Sequence, residues 1–130
     1  MTLEEAQYCH LTNNVAVKAL IGNRLFPNVI PQKTKMPAAA YQTISGPREK
    51  THDGREGLRF KRIQYTCQGS TYREVRTLAE AIGDALNGYR GDMNGLAVQE
   101  CSIVNEVDGY AETPENQVVR IDATFLYRDA

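Results

Sequence analysis

The sequence predicts an α+β fold, in which a four-stranded, mainly antiparallel sheet carries helices on one face, in the order α(α)-β-β-α-β-β. A strongly amphipathic helical segment lies in the middle of the chain, and two pairs of strand-like segments flank it. The loop within the last pair is too short for the crossover helix of a parallel connection. At 130 residues, the chain is expected to form one domain, residues 1–130.

The N-terminal region is predicted to be helical in two pieces. Residues 3–11 present an imperfect apolar face at helical spacing. Thr12 or Asn13 is a candidate cap for a second piece, residues 14–21, which Gly22 would end. The two pieces could also be one helix with a break.

The first predicted hairpin joins residues 38–45, which contain β-compatible side chains, to residues 58–68. In the second of these strands the apolar side chains change phase between positions 60 and 63, which predicts a β-bulge. The strand would span about 36 Å, roughly twice the common length. Part of this hairpin is therefore expected to stand clear of the domain.

The central helix is predicted over residues 71–88, where Thr71 and Glu74 fit a capping box. A glycine-rich link then leads to a second hairpin. Its strands are residues 96–107, which are rich in β-branched side chains, and residues 118–128, which alternate apolar and polar.

The charge balance and the apolar pattern exclude some classes of protein. Fifteen basic and sixteen acidic residues give a net charge of -1, so the chain as a whole lacks the positive field of non-specific nucleic-acid binding. No apolar run approaches the roughly 20 residues of a membrane span, and the acidic N-terminus differs from a basic signal peptide. We therefore expect no membrane contact and a cytoplasmic location.

The nucleophilic and metal-ligating residues form no recognisable site. Cys9, Cys67 and Cys101 are widely spaced and odd in number, which favours reduced thiols, with Cys67 and Cys101 buried in strands. Cys9 and His10 are adjacent, but neighbours on a helix do not face each other. His52 and Asp53 lie in a charged loop without a nucleophile. No zinc spacing and no phosphate-binding motif is present, so we predict no enzyme, no cofactor and no metal.

The segment from residue 48 to residue 62 is the one chemically uneven region, because it carries six basic side chains. It is either a solvated edge or a surface for an acidic partner or nucleic-acid phosphates. A rival function is therefore a small nucleic-acid-binding α+β domain that uses this basic hairpin, with Tyr65 or Phe60 as stacking groups. The predicted partner-binding residues are Arg48, Glu49, Lys50, His52, Asp53, Arg55, Glu56, Arg59 and Lys61.

Residues 21–46 raise a separate question, because three prolines interrupt a run with enough apolar side chains for a core. Proline disrupts helix interiors and central strands, but it fixes extended backbone at its own position and the one before. We predict an extended connection between the helices and the first strand, which carries Leu25, Phe26, Val29 and Ile30 across the helix layer.

The residues of this connection also carry a family resemblance. They read Gly22-Asn23-Arg24-Leu25-Phe26-Pro27, then Pro31-Gln32, then Met36-Pro37 leading to Tyr41-Gln42; later come Arg62-Ile63-Gln64-Tyr65 and the helical Leu78 to Ile82. This pattern resembles the tail completion proteins of long-tailed bacteriophages. The resemblance covers roughly residues 14–88, and beyond them it depends on strand order.

The resemblance implies a structural role. Such a protein, also called a tail terminator, would cap the tail tube and join it to the head connector or head completion protein, as a ring of six copies with a lumen through which DNA could pass. It would be monomeric in the host cytoplasm before assembly and part of the virion afterwards. A ring needs two different contacting surfaces on each subunit. We expect residues 46–57 to be mobile in the free protein and to order on assembly.

Overall fold

A computed structural model describes residues 2–45, 58–109 and 117–128 of the chain. Three helices and six strands follow one another in this part. The helices are α1 (Leu3–Asn13), α2 (Val15–Ile21) and α3 (Tyr72–Leu86); the strands are β1 (Leu25–Pro27), β2 (Ala38–Ser45), β3 (Leu58–Gly69), β4 (Gly91–Met93), β5 (Leu96–Gly109) and β6 (Gln117–Arg128).

The strands form one curled, mixed sheet in the order β1-β2-β3-β6-β5-β4. β1 is parallel to β2, and every other pair is antiparallel. The prediction of a four-stranded, mainly antiparallel sheet in the order α(α)-β-β-α-β-β is therefore wrong. It missed β1 and β4, which have three residues each, too few to show the period of two that marks a strand in a sequence. The predicted hairpins, β2 with β3 and β5 with β6, are both present.

The N-terminal helices are separate because one residue ends the first and begins the second. Thr2 and Glu5 form a capping box at the start of α1. Asn14 has extended backbone, and its side-chain oxygen accepts hydrogen bonds from the N–H groups of Ala16 and Val17. The cap is thus Asn14 and not the predicted Thr12 or Asn13, although the change of direction falls where the sequence places it.

The predicted central helix is confirmed as α3. Thr71 Oγ1 accepts from the N–H of Glu74 at 3.1 Å, and the Glu74 carboxylate accepts from the N–H of Ser70 at 2.7 Å. The Glu74 side chain thus binds the N–H of Ser70, one residue before Thr71, whose N–H the predicted capping box would use. One face of the helix is buried against the sheet, where each aliphatic side chain contributes about 1.5–3 kcal/mol. Its buried residues are Val75, Leu78, Ala79, Ile82 and Leu86.

The predicted bulge in β3 is wrong. β3 pairs with β6 without interruption from Leu58 to Gly69, and the register shift lies in β2 between Thr43 and Ser45. The phase change occurs because Leu58 and Phe60 lie on the sheet face turned away from the helices, while Ile63 points into the core. Since β3 is paired along its whole length, none of it stands clear of the domain.

The core lies between the helices and one face of the sheet. It joins side chains of α1, α2 and α3 to the inward residues of β3, β5 and β6. Tyr65 is fully buried there, and its hydroxyl donates to Gln7 Oε1 at 2.8 Å. Gln7 Nε2 in turn donates to the Glu4 carbonyl at 2.7 Å. This chain of hydrogen bonds supplies polar partners inside an otherwise apolar interior. Cys67 and Cys101 are buried as predicted.

Candidate interaction surfaces

The predicted partner-binding residues divide into two groups. Those from Arg48 to Glu56 lie outside the described residues, as does the predicted mobile segment 46–57. Arg59 lies opposite Tyr127 in the pairing of β3 with β6. Lys61 has an internal role, because its ammonium group is 3.0 Å from the Glu4 carboxylate on α1. The structure therefore uses Lys61 to fix α1 against the sheet.

Glu4 is held by two donors, Lys61 and the hydroxyl of Thr43, the latter at 2.7 Å. Burial would raise the pKa of the Glu4 carboxyl, but these hydrogen bonds outweigh burial and hold that pKa below its ordinary value of 4.5. The carboxylate therefore stays charged, and it links α1 to β2 and β3 across the end of the sheet.

A groove of about 620 Å³ opens between α1 and β1. Its lining is mainly aromatic and aliphatic, with few polar groups. We call it the β1 groove. It is lined by Glu5, Tyr8 and Cys9 of α1, Asn23, Leu25, Phe26 and Pro27 of the connection and β1, and Tyr41 of β2.

The β1 groove is built by the segment that carries the family resemblance. Arg24 donates from Nη2 to the Leu20 carbonyl at 3.0 Å and from Nε to the Pro37 carbonyl at 3.1 Å. One guanidinium group thus joins the end of α2 to the start of β2. Leu25 is buried in the core, whereas Val29 is 71% exposed. The prediction that this segment carries its apolar residues into the core holds for Leu25 and is wrong for Val29.

The outer edge of β1 offers few backbone groups to another strand. Pro27 has no N–H, and its carbonyl accepts from the N–H of Val29 at 2.8 Å. Phe26, between Leu25 and Pro27, lies opposite Ala40 of β2. Contact at this edge must therefore depend on side chains, and those are the ones that line the β1 groove.

The opposite edge of the sheet is formed by the short β4 and, beyond it, by the rest of β5. β4 pairs only with residues 96–98. Next along β5, the end of α3 covers the backbone: the N–H of Gly88 donates to the Cys101 carbonyl at 2.7 Å, and the N–H of Ile103 donates to Asn87 Oδ1 at 3.0 Å. Within the described residues, nothing pairs with the outer side of residues 104–109.

This open part of β5 carries exposed apolar side chains. A register shift between Ile103 and Asn105 makes Val104 the extra residue of a bulge, which turns it outward. Val104, Val107 and the neighbouring Tyr72 of α3 are between 48% and 50% exposed. Glu106 and Asp108 lie on the helix side of β5, where they contact α3, and Val107 lies on the other face of the sheet. We call this edge, with side chains on both faces, the β5 ridge: Tyr72, Val104, Glu106, Val107 and Asp108.

The carboxylates of the β5 ridge share one arginine. Arg76 contacts three carboxylates, those of Glu106 at 2.7 Å, Asp108 at 3.7 Å and Glu80 at 3.9 Å. The Tyr72 hydroxyl donates to Asp108 at 2.9 Å, and this hydrogen bond raises the pKa of Tyr72. Arg76 is thus shared by the two ridge carboxylates and by Glu80 of α3, and the guanidinium group of Arg120 lies close to Gly109 at the end of the ridge.

The sheet face turned away from the core carries a polar row across β2, β3, β6 and β5. Gln42, Gln64, Asp122 and Asn105 are successive partners in the register. Asp122 is only 4% exposed, and it accepts from Arg62 Nε at 3.1 Å and from Gln64 Nε2 at 3.1 Å. The buried charge is therefore paired within the face itself.

The described residues contain no group of three or more His, Cys, Asp or Glu side chains that could hold a metal ion. Cys9 lines the β1 groove, whereas His10 Nε2 lies 3.0 Å from the Ala85 carbonyl and its ring packs edge-on against Tyr89. The two neighbours thus point to different places, as predicted. Burial raises the pKa of both Cys67 and Cys101 to about 12, which makes them poor nucleophiles. The predicted His52 and Asp53 pair lies outside the described residues.

In the part of the chain that the structure describes, no helix is long and apolar enough to span a membrane.

Two solved structures share the fold of this chain. A chain in a structure entitled "Virion of native gene transfer agent (GTA) particle" matches with a TM-score of 0.75 and 12% identity, over 98% of this chain and 95% of that one. A second solved chain matches with a TM-score of 0.61 and 13% identity, over 100% of this chain and 99% of that one. At these identities the likeness is one of fold, and it is a fold found in a virion.

The sequence then gives the family. The family description of tail completion protein gp17 matches residues 5–128, and the chain belongs to this family. No curated protein matches the sequence. The resemblance drawn from residues 14–88 is thus confirmed over nearly the whole chain, and the protein is a structural component of a phage tail.

Proposed function

We propose that this chain caps the head-proximal end of the phage tail tube and joins it to the head connector, as a ring of six copies. Membership of the tail completion family supports the location in the phage tail. The structure supplies the observation that carries the ring: the two edges of the sheet present different surfaces, the apolar β1 groove and the β5 ridge with its carboxylates. A ring closed by rotation uses two different surfaces on each subunit, whereas a two-fold dimer pairs one surface with itself.

In this proposal the protein is a monomer in the host cytoplasm and assembles only on the tube. The two surfaces support this behaviour. Two β5 ridges in contact would bring the carboxylates of Glu106 and Asp108 together. Assembly on a partner that orients the copies would overcome this restriction. The tail tube protein and the head connector are the partners that the role requires, and the structural character of the family supports a role other than catalysis.

The nucleic-acid-binding alternative has less support. Tyr65, one of its two proposed stacking groups, is fully buried and bonded to Gln7, so it cannot stack on a base. Lys61 is paired with Glu4. Phe60 is exposed and remains as a single candidate, on the face turned away from the helices.

Electron microscopy of tails assembled with and without the protein tests the proposal. With the protein, an additional ring should appear at one end of each tube, and the tails should join to heads. Without it, we expect tails of unregulated length or tails that lack heads. Complete virions formed in the absence of the protein would refute the proposal.

The charged segment that follows β2 in the sequence, residues 46–57, is proposed to contact the tube or the connector. We expect Lys50→Glu and Arg55→Glu to impair joining while the monomer stays folded, because the surrounding sequence is charged and rich in glycine and carries no side chains typical of a core. The control is Lys18→Glu, which makes the same change of charge at an exposed side chain of α2. If both loop variants join as well as the control, the segment is not part of the interface.

A further inference from the structure

We propose that the β1 groove receives an arginine side chain, and that in the ring this side chain is Arg90 of the next copy. The inference rests on the proposed function, which requires a ring but does not say which residues meet. It joins the groove beside β1, at one edge of the sheet, to the turn that precedes β4, at the other edge.

The first support is the charge of the β1 groove. Among the described residues that line it, only Glu5 is charged. Glu5 Oε1 accepts from the N–H of Thr2 at 3.0 Å and from its hydroxyl at 3.1 Å, and these hydrogen bonds hold the pKa of the Glu5 carboxyl below its ordinary value of 4.5. The group is therefore a carboxylate at neutral pH, and no donor within the described part of the chain reaches its second oxygen. Its complementary partner is a cation that donates hydrogen bonds.

The second support is the aromatic lining of the groove. Tyr8, Phe26 and Tyr41 line it, and each is partly buried. Aromatic rings attract a cation that lies over them, and the planar, weakly hydrated guanidinium group stacks on them better than an ammonium group does. Burial, and to a smaller extent the carboxylates of Glu4 and Glu5, raise the pKa of Tyr41, so the negative field of α1 reaches into the groove. The groove is therefore better suited to an arginine than to a lysine or an acidic side chain.

The third support is the state of Arg90 within its own copy. Arg90 is exposed, and among the described residues its guanidinium group has no ion-pair or hydrogen-bond partner. The turn that carries it is held in place, because the N–H of Gly88 donates to the Cys101 carbonyl at 2.7 Å and Tyr89 packs edge-on against His10 of α1. The backbone of Arg90 is therefore ordered before assembly, which lowers the entropy cost of a contact.

Asp92 follows Arg90 closely in sequence but does not neutralise it. Asp92 Oδ2 accepts from the N–H of Gly95 at 3.3 Å, in the turn between β4 and β5. No ion pair between described residues joins Asp92 to Arg90. The carboxylate thus stabilises its own turn, and the charge of Arg90 is left for another molecule.

The position of Arg90 distinguishes it from other exposed cations. Lys33 and Lys35 belong to the connection between β1 and β2, which begins at the groove itself. Lys18 and Arg73 lie on α2 and α3 rather than beside an edge strand. Arg90 directly precedes the last strand of the sheet, at the edge opposite β1, so its contact with the next copy can repeat around a ring by rotation.

A charge swap tests the pairing. Arg90→Glu should reduce the fraction of tail tubes that carry a ring, counted by electron microscopy, about tenfold, because it brings two carboxylates together. Glu5→Arg should have the same effect, and both changes in one chain should restore most of the rings. The matched control is Arg73→Glu, the same reversal at an exposed arginine of α3, which should assemble normally.

Glu5 also caps α1, so a second variant separates its charge from its capping role. Glu5→Gln removes the charge and keeps a side chain that can accept from Thr2 in a capping box. We expect it to lose rings while its urea midpoint stays close to that of the unmodified protein. Rings at the unmodified level would show that the Glu5 charge takes no part in the contact, and the proposal would be overturned.

The reactivity of Cys9 tests the groove independently of its occupant. Cys9 lines the groove, whereas burial raises the pKa of Cys67 and Cys101 to about 12 and keeps them unreactive. N-ethylmaleimide should label Cys9 of the free protein about tenfold faster than Cys9 of assembled rings, since a filled groove excludes the reagent. Equal rates in the two states would mean that the groove stays open in the ring and would overturn the site.

The combined outcomes separate the contact from the ring. Protection of Cys9 without rescue by the charge swap would show that a group other than Arg90 fills the groove, and normal assembly of Arg90→Glu would equally overturn the assignment of Arg90. Absence of rings from the unmodified protein would instead overturn the proposed function itself.

Discussion

Replacing Tyr65 by phenylalanine removes a single hydroxyl from the interior and tests how the core accommodates its polar groups. That hydroxyl donates to Gln7 Oε1 at 2.8 Å, and both residues are fully buried. In Tyr65→Phe the Gln7 oxygen loses its donor while it remains out of water. A buried acceptor left without a partner costs about 1–3 kcal/mol.

The expected loss can be converted into a melting temperature. With about 2.1 cal/mol/K per residue, a chain of 130 residues has an unfolding entropy of about 0.27 kcal/mol/K. A loss of about 2 kcal/mol should therefore lower Tm by about 7 °C. Urea denaturation of the monomer measures the same loss as a shift of the midpoint at constant slope.

A double-mutant cycle separates the hydrogen bond from the packing. Gln7→Leu should also destabilise the protein, because it leaves the tyrosine hydroxyl without an acceptor. Tyr65→Phe combined with Gln7→Leu should cost at least 1 kcal/mol less than the sum of the two single changes, because neither polar partner remains. The control is Tyr72→Phe, which removes a hydroxyl from an exposed hydrogen bond and should change stability by less than about 0.5 kcal/mol. Additive single changes would refute the reasoning.

Three further predictions concern charged groups. Arg62→Leu leaves the buried Asp122 carboxylate without its cation and should lower the free energy of unfolding by about 3 kcal/mol in urea denaturation; a loss below 1 kcal/mol would mean that water reaches the carboxylate. Arg24→Ala should cost about 2 kcal/mol, and Arg24→Lys should not restore it, because one ammonium group cannot reproduce two diverging N–H bonds; full recovery with lysine would contradict the two-carbonyl contact. The pKa of Glu4 is lowered in the folded state, so its contribution is present above about pH 4.5 and is lost as the pH falls through the folded pKa. Urea midpoints of Glu4→Gln and the unmodified protein should therefore differ at pH 7 and approach each other as the pH falls below 4.5, and a difference that does not change with pH would show that Glu4 acts through packing.

The elements that could be predicted from the sequence are those whose own apolar side chains recur with the period of a helix or a strand. α3 shows its buried face at helical spacing, and β6 has a buried apolar side chain at every second position from Val119 to Tyr127. Their environment is encoded locally, because each residue's burial follows from its position within the element.

The features that could not be predicted depend on pairing with distant residues. β1 contains Pro27, which in sequence indicates a connection, and it becomes a strand only because β2 lies beside it. The phase change in β3 was interpreted as a bulge, since a sequence cannot distinguish an extra residue from apolar side chains on the second face of a sheet.

The candidate surfaces show the same division. Arg24 stands within the family pattern, but its contacts with the Leu20 and Pro37 carbonyls could not be inferred from spacing. Lys61 was predicted to face a partner because it lies in a charged run, and the structure pairs it with Glu4, 57 residues away. The β5 ridge combines side chains of α3 and β5, and no contiguous sequence signal could have indicated it.

The closed edge of β1 has a consequence for the free protein at high concentration. Exposed strand edges are templates on which chains add to one another and form insoluble aggregates. Pro27 and its turn remove most of that template on one side, while the bulge at Val104 and the carboxylates of Glu106 and Asp108 interrupt it on the other. The described edges are therefore poor templates for strand addition, and we expect the free protein to resist forming fibres at high concentration.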